Sequence, residues 1–381
     1  MVAERFAETF LVLQPMEHIH TLPQPWNIED DFMRAKTWRS LGVDDLIDVS
    51  IPWSTADEVI CRQESKTNGE EAAVLWSEYV TPAGSFRQGV RKTGEDVGDG
   101  WVVQPTEVRL FEDFNIPRYV EPAVSSPADI DKVSYLYRMP GKSEREWFTD
   151  RMKAIRQFVD NEHFAVQAWS AFGMDGVIWL TGVENAIMMA MDNPGEFSRL
   201  VSLIAETDIE RTMLALSDPG IDLIVQRGWY SATDFWSPEL FDLYVLPYVR
   251  DLAQIVHQHG RIFAYVMTTG IEVLAPRMID AGVDVLYFVD PTELSKKTIL
   301  MQDLATELGD RITLVGGIST VTLATESVES IRKQLTESVK ALSKHNRFIL
   351  HPVDALFPDT PWEGVETLIE VWKDICCSKS G

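Results

Sequence analysis

Cysteine, positive charge and long apolar runs are all scarce in this chain. There are three cysteines in 381 residues, Cys61 and the adjacent Cys376 and Cys377. No pair has metal-site spacing, and an odd number cannot complete a disulfide framework. So few thiols in a long chain suit a reducing compartment. Lysine and arginine total 34 against 59 aspartates and glutamates, a net charge of −25. That balance excludes nucleic acid, whose phosphates need a basic face, and equally an anionic membrane surface. It leaves room for a small anionic ligand, because one pocket can be locally basic. No apolar run reaches the roughly 18 residues of a membrane span. The short run 10–13 follows Glu4 and Glu8, where a secretory leader would carry positive charge. These absences point to a cytoplasmic protein whose partner is a small molecule.

What is present is organised around residues 220–381. Apolar runs rich in β-branched residues lie at 221–225, 262–267, 283–289, 312–315 and 348–350, separated by amphipathic helical stretches. Earlier strands fit 46–51 and 163–170. Such alternation specifies βαβ units and a parallel sheet. With this many strands and this length, the expected fold is a (β/α)8 TIM barrel forming a single domain over 1–381. Helices are expected at 30–41, 144–160 and 196–216, and another opens at Ser126-Pro127 with a plausible cap. The methionine-rich stretch 174–191 reads as adaptable core packing, with a substrate lid as the alternative. Residues 72–123 differ. They alternate loosely around the turn Thr81-Pro82-Ala83-Gly84 and a second turn at 96–100, with Trp101 to follow. They are expected to form an antiparallel β-subdomain inserted near the barrel mouth.

Barrel chemistry sits at the C-terminal strand ends, which selects the candidates. Arg227 ends its strand two residues beyond Val225. It suits bidentate capture of a carboxylate or phosphate, or a buried ion pair with a neighbouring acid. Tyr230 and Asp234 follow in the same loop, with Trp229 and Trp236 as its packing. Asp290 precedes Pro291, as an acid–base group or a turn cap. His351 and Asp354 follow the last strand. An imidazole there can move protons near neutrality, although simple alternation puts the two on opposite faces. His18 and His20 are spaced to share one side of a strand, as a surface loop or a metal pair. His257 and His259 end a helix, where charge–dipole stabilisation explains them.

Several segments resemble the uroporphyrinogen decarboxylase superfamily, which also holds the corrinoid and coenzyme M methyltransferases. They are Ser237-Pro238-Glu239-Leu240-Phe241 with Pro247-Tyr248, the stretch 260–270, Ala281-Gly282-Val283-Asp284-Val285, Gly316-Gly317-Ile318 and Pro358-Asp359-Thr360-Pro361-Trp362. The resemblance covers about 70–375. It implies the barrel fold and a homodimer. Methyltransferase members hold zinc with a His-x-Cys-Gly motif and a later cysteine. Here those positions read Met267-Thr268-Thr269-Gly270 and Asp354, so no zinc and no other cofactor is expected. The arginine-rich N-terminal motif of true decarboxylases is also absent from 1–60. Mapping the family ligands onto 267 and 269 turns Phe263, Tyr265, Met267 and Thr269 into the barrel, which adds Tyr265 and Thr269 to the pocket.

The function that follows is a metal-free lyase, decarboxylase-like, working by acid–base chemistry on a small carboxylated substrate. Asp354, Asp290 and His351 are its candidate proton-transfer groups. Arg227, Tyr230, Asp234, Tyr265 and Thr269 are its candidate binding groups. Two alternatives stand beside it: a methyltransferase using a corrinoid protein or a folate, and a barrel that binds a small molecule without turning it over.

Overall fold

The computed structural model describes residues 24–66, 73–92, 107–291, 301–342, 347–357 and 360–378. His18, His20, the turn at 96–100, Trp101 and Pro358-Asp359 fall outside them. Among the described residues, eleven strands form two sheets. β1 (Leu46–Ser50), β6 (Ala165–Ala171), β7 (Leu223–Gln226), β8 (Ile262–Val266), β9 (Val285–Val289), β10 (Thr313–Ser319) and β11 (Phe348–Val353) pair in that order, every neighbour parallel. β2 (Ile60–Lys66), β3 (Val74–Thr81), β4 (Gly84–Arg91) and β5 (Tyr119–Glu121) form a separate antiparallel sheet. The hairpin expected around Thr81–Gly84 is present as β3 and β4, with β2 and β5 added to its sheet, and the second expected hairpin lies outside the described residues.

Among the described residues a full eightfold barrel does not close. The parallel sheet has seven strands and curls into a half-barrel, and no ladder joins β11 to β1 among the described residues. The curl is visible in one contact. Tyr287 on β9 donates to Gln167 on β6 at 3.0 Å, although two strands lie between them. Across a flat sheet that separation would be about 14 Å. The open side is bridged by the flanking helices instead. Trp26 stacks on Trp38 of the helix Asp31–Ser40 and on Trp362 of the helix Trp362–Ser378, with ring centroids 6.0 Å apart in each pair.

Two apolar layers fix which side chains face which way. The outer layer joins Ile47, Val49, Val166, Ala168, Ile224, Phe263, Tyr265, Leu286 and Leu314 to the surrounding helices. The inner layer holds Leu223, Val225, Ala264, Val266, Val285, Tyr287, Val315 and Val353, with Trp169 and Trp229 against it. Strands covered on both faces are apolar on both faces. The burial of these layers removes most of the sheet from water, a gain of roughly 25 cal/mol per Å² of apolar surface.

Gly316 shows how tightly the curl is made. Its φ is +152°, the β9–β10 register slips beside it, and a Cβ there would lie 2.4 Å from the Val289 carbonyl oxygen. Only glycine allows that approach. Gly316→Ala is expected to cost at least about 1–3 kcal/mol through forced backbone movement. Urea unfolding measures it, and an unchanged midpoint would contradict the account.

Among the described residues, no helix is long and apolar enough to cross a membrane.

Candidate functional site in the half-barrel hollow

Strand alternation aims Asp48 (β1), Gln167 and Trp169 (β6), Tyr287 (β9) and His351 (β11) into the hollow, on the same side as the inner layer. The loop after β7 adds Arg227 and Trp229. The turn after β11 adds Asp354.

Arg227 is the centre of charge. Its Nη2 donates to Asp113 Oδ2 at 2.7 Å, and its Nε lies 3.4 Å from Asp175 Oδ2. The guanidinium also lies between two indoles, 4.3 Å from the Trp229 ring centroid and 4.6 Å from that of Trp179. Of the two readings of Arg227, the ion pair is therefore present, and no hydrogen bond of the cluster uses Nη1. Asp113 belongs to the 3-10 turn Asp113–Arg118 that leads from the antiparallel sheet into β5. It also accepts the Trp179 indole N–H at 2.8 Å. One carboxylate thus ties the inserted subdomain to the barrel mouth.

Asp175 is wholly buried in the helix Gly173–Thr181, and it accepts the backbone N–H groups of Tyr230 (2.9 Å) and Trp229 (3.3 Å). Burial pushes its carboxyl up to about 7, against the opposing pull of Arg227 and those two N–H groups. Tyr230 is half-buried, and its phenol is raised by burial and by the charges of Asp113 and Asp175.

On β1, Asp48 Oδ1 accepts from Gln167 Nε2 at 2.6 Å and from Trp169 Nε1 at 2.8 Å, while Arg34 Nη2 stands 3.6 Å from Oδ2. Burial raises the Asp48 carboxyl against these donors. With Tyr287 on Gln167, a chain of three side chains fixes this acid in place.

Asp354 and His351 complete the hollow. Asp354 has φ +74°, a left-handed conformation that aspartate tolerates better than most residues. This turn overrides strict alternation. His351 feels the charges of Asp45, Asp48 and Asp354, and Asp354 feels those of Asp113 and Arg227. Both side chains are exposed at the end of the last strand. Burial raises the Asp354 carboxyl and lowers the His351 imidazole. An aromatic ladder runs beside them. Trp169 stacks on Trp229, Trp229 meets Phe288, and Phe288 meets His351, at 6.1, 5.8 and 5.6 Å between centroids. Trp229 Nε1 and Thr269 Oγ1 are buried without a hydrogen-bond partner of normal geometry among the described residues.

The structure thus brings Arg227, Tyr230, His351 and Asp354 together. Tyr265 belongs elsewhere. It is fully buried in the outer layer, with its hydroxyl 2.6 Å from Ser231 Oγ, so its face turns away from the hollow. Met267 shares that outer layer. Thr269 lies past the end of β8, where strand alternation no longer applies. Asp234 is exposed, and none of the contacts of the Arg227 cluster involve it. Asp290 is half-buried at the end of β9. Asp48, Asp113, Asp175 and Trp179 were not among the expected residues. A single acid inside the apolar run 173–181 was the one sequence signal for Asp175.

The zinc positions of the methyltransferases do not fit a metal in this chain. Met267 faces the wrong layer and Thr269 offers only a hydroxyl. Among the described residues, no group of three or more His, Cys, Asp or Glu side chains could hold a metal ion.

A half-barrel α/β scaffold gathers these polar groups at its C-terminal strand ends, where barrel proteins carry their chemistry. The family model for uroporphyrinogen decarboxylase (URO-D) matches residues 106–375, and the chain belongs to that family. No curated protein matches. Among solved structures, the chain is similar to a methyltransferase from Methanosarcina mazei, at 17% identity and a TM-score of 0.48. That match covers 58% of this chain and 63% of the other. It is also similar to a D-tagatose 3-epimerase-like protein, at 12% identity and a TM-score of 0.37, over 68% of this chain and 97% of the other.

Proposed function

We propose that the chain is a lyase that removes carbon dioxide from a small carboxylated molecule by proton transfer in the half-barrel hollow. One observation carries this reading. Asp354 stands near enough for its charge to act on His351, both follow or end the last strand, and burial moves them in opposite senses, the carboxyl up and the imidazole down. Paired titratable groups pushed apart in this way divide the labour of acid and base. Asp354 keeps its proton to higher pH than an ordinary carboxyl and serves as the donor. His351 loses its proton at lower pH than an ordinary imidazole; it takes the proton of the substrate's carboxyl group, so that the group departs from its ionised form, and later returns that proton to Asp354.

The Arg227 guanidinium, whose Nη1 has no hydrogen-bond partner within this cluster among the described residues, meets the substrate carboxylate. The bond from the carboxylate carbon to its neighbour breaks, carbon dioxide departs, and the electron pair left on the neighbouring carbon takes the Asp354 proton. The aromatic ladder lowers the local dielectric, which strengthens each of these interactions.

The test begins with a screen of carboxylated compounds for carbon dioxide release. On any substrate found, Asp354→Asn is expected to lower turnover by about 10²–10⁴-fold while substrate still binds. An Asp354→Asn enzyme with full turnover would sink the proposal.

A further inference from the structure

Asp175 and the indoles of Trp179 and Trp229 hold Arg227 from within the half-barrel. Asp113 reaches it from outside, on the turn that leads into β5 of the antiparallel sheet. The two acids also differ in access. The Asp175 side chain is 0% exposed and that of Arg227 19%, whereas that of Asp113 is 41% exposed. The buried acid supports the guanidinium from the interior. The reachable acid sits on its outward edge, where a small molecule in solution can compete for the same place.

Both oxygens of Asp113 are met, each by a different donor. Oδ2 accepts from Arg227 Nη2 at 2.7 Å, and Oδ1 accepts from Trp179 Nε1 at 2.8 Å. Each donor is held by contacts of its own. The guanidinium is fixed between its two indoles. Trp179 is 4% exposed within the helix Gly173–Thr181 and packs edge-on against Phe172 at 5.1 Å between centroids. A fixed cation and a fixed N–H that fit the two oxygens of one carboxylate form a receptor for carboxylates in general. Emptying it would strand a buried indole N–H and uncover one edge of a partly buried cation, so a vacancy favours refilling.

We infer that Arg227 and Trp179 form a receptor for the carboxylate of a small ligand, and that Asp113 is its resident occupant until a ligand carboxylate replaces it. The identity of the ligand as a substrate rests on the proposed function. A substrate carboxylate that engages both Nη atoms must take the place of Asp113 at Nη2, and it thereby unhooks the turn Asp113–Arg118 from the barrel mouth. The exchange also selects. A tethered carboxylate competes at an effective concentration of roughly millimolar or above, so a lone small acid is refused. A ligand with further contacts in the hollow displaces it.

Formate, the bare carboxylate, is the probe. Thermal unfolding of the full chain is followed at pH 5.5, where Asp175 is protonated, with formate or with chloride at equal ionic strength. Asp113→Ala removes the occupant and leaves room for the ion. It is expected to gain stability with formate along a saturating curve, with a midpoint of about 1–100 mM, beyond any effect of chloride. The wild-type chain keeps its receptor filled, and Asp113→Ala/Arg227→Ala has lost it. Both are expected to respond to formate no more than to chloride. Asp113→Ala/Trp179→Phe is expected to raise the midpoint at least about threefold. Asp113→Ser, short and polar, repeats the test if the alanine variant does not fold. Vacated chains that ignore formate, a formate gain that survives the loss of Arg227, or an equal gain in the wild type would each overturn the inference. A chain that decarboxylates nothing, while formate still fills the vacated receptor, overturns the lyase reading alone.

Discussion

Asp208→Ala is expected to lower stability by about 3–5 kcal/mol, the largest single loss in the fold. Asp208 and Arg211 are each about 1% exposed, on one side of the helix Pro194–Leu216. Asp208 Oδ2 accepts the backbone N–H groups of Phe172 (2.9 Å) and Gly173 (2.7 Å), just past the end of β6. Its Oδ1 accepts the Tyr137 hydroxyl. Arg211 Nη1 donates to that same hydroxyl at 2.8 Å, and its Nε donates to the Ile51 carbonyl at 2.9 Å, just past the end of β1. One helix thus holds the C-terminal ends of β1 and β6, from which Asp48, Gln167 and Trp169 enter the hollow. Removing Asp208 leaves a guanidinium in the interior without its carboxylate and orphans two N–H groups. Replacing both charges, as Asp208→Leu/Arg211→Met, is expected to cost less than the sum of the two single changes by at least about 1 kcal/mol. Urea unfolding of the three variants provides the numbers. A loss below about 1 kcal/mol for Asp208→Ala would mean that this network does not pin the strand ends.

The strands and the inserted sheet were legible because apolar β-branched runs and turn residues are local signals. The phase of β8 was not. Ile262, Phe263, Ala264, Tyr265 and Val266 are apolar throughout, because both faces of a parallel strand are covered. Alternation then supplies two equivalent faces and no means of choosing. Counting back from Thr269 selected the wrong one, since Thr269 lies beyond the last β8 residue. The closure of the barrel was also hidden, since closure depends on how strands tilt and stagger and not on any one segment. Arg227 was legible as a charged residue at a strand end. Its partners were not, because Asp113 precedes it by 114 residues and Asp175 lies in a helix that periodicity assigns to the core. The pairing of His351 with Asp354 depended on a single left-handed residue, which aspartate permits but does not announce.

Arg227→Ala is expected to cost about 2–4 kcal/mol at pH 8.5 and distinctly less at pH 5.5. The sign follows from Asp175. Its carboxyl titrates at about 7 in the folded chain and at roughly 3.9 when unfolded. A raised acid binds its proton more readily in the folded state, so it favours folding at low pH. That contribution is lost as pH rises from about 4 through about 7, by an amount on the order of 4 kcal/mol. Above 7 the buried carboxylate is ionised, and the adjacent Arg227 is the charge that offsets it. Without Arg227 the same carboxylate stands alone among buried groups, and its proton is held to still higher pH. Below 6 Asp175 is protonated in both proteins, so the variant loses chiefly the Asp113 pair, which is partly exposed and therefore weaker. Asp175→Asn removes the titration while keeping an acceptor for the Tyr230 N–H. It is expected to flatten the stability profile between pH 5 and 8, and in the double variant to make the cost of Arg227→Ala the same at both values. Urea midpoints at pH 5.5 and 8.5 for the four proteins decide the matter. An Arg227→Ala cost that does not change with pH while Asp175 is present would show that the two side chains do not share their charge. The same coupling bears on function, because the guanidinium proposed to meet the substrate carboxylate is the one that Asp175 neutralises as it ionises. Substrate affinity is then expected to fall as pH rises through about 7, and Asp175→Asn to remove that fall.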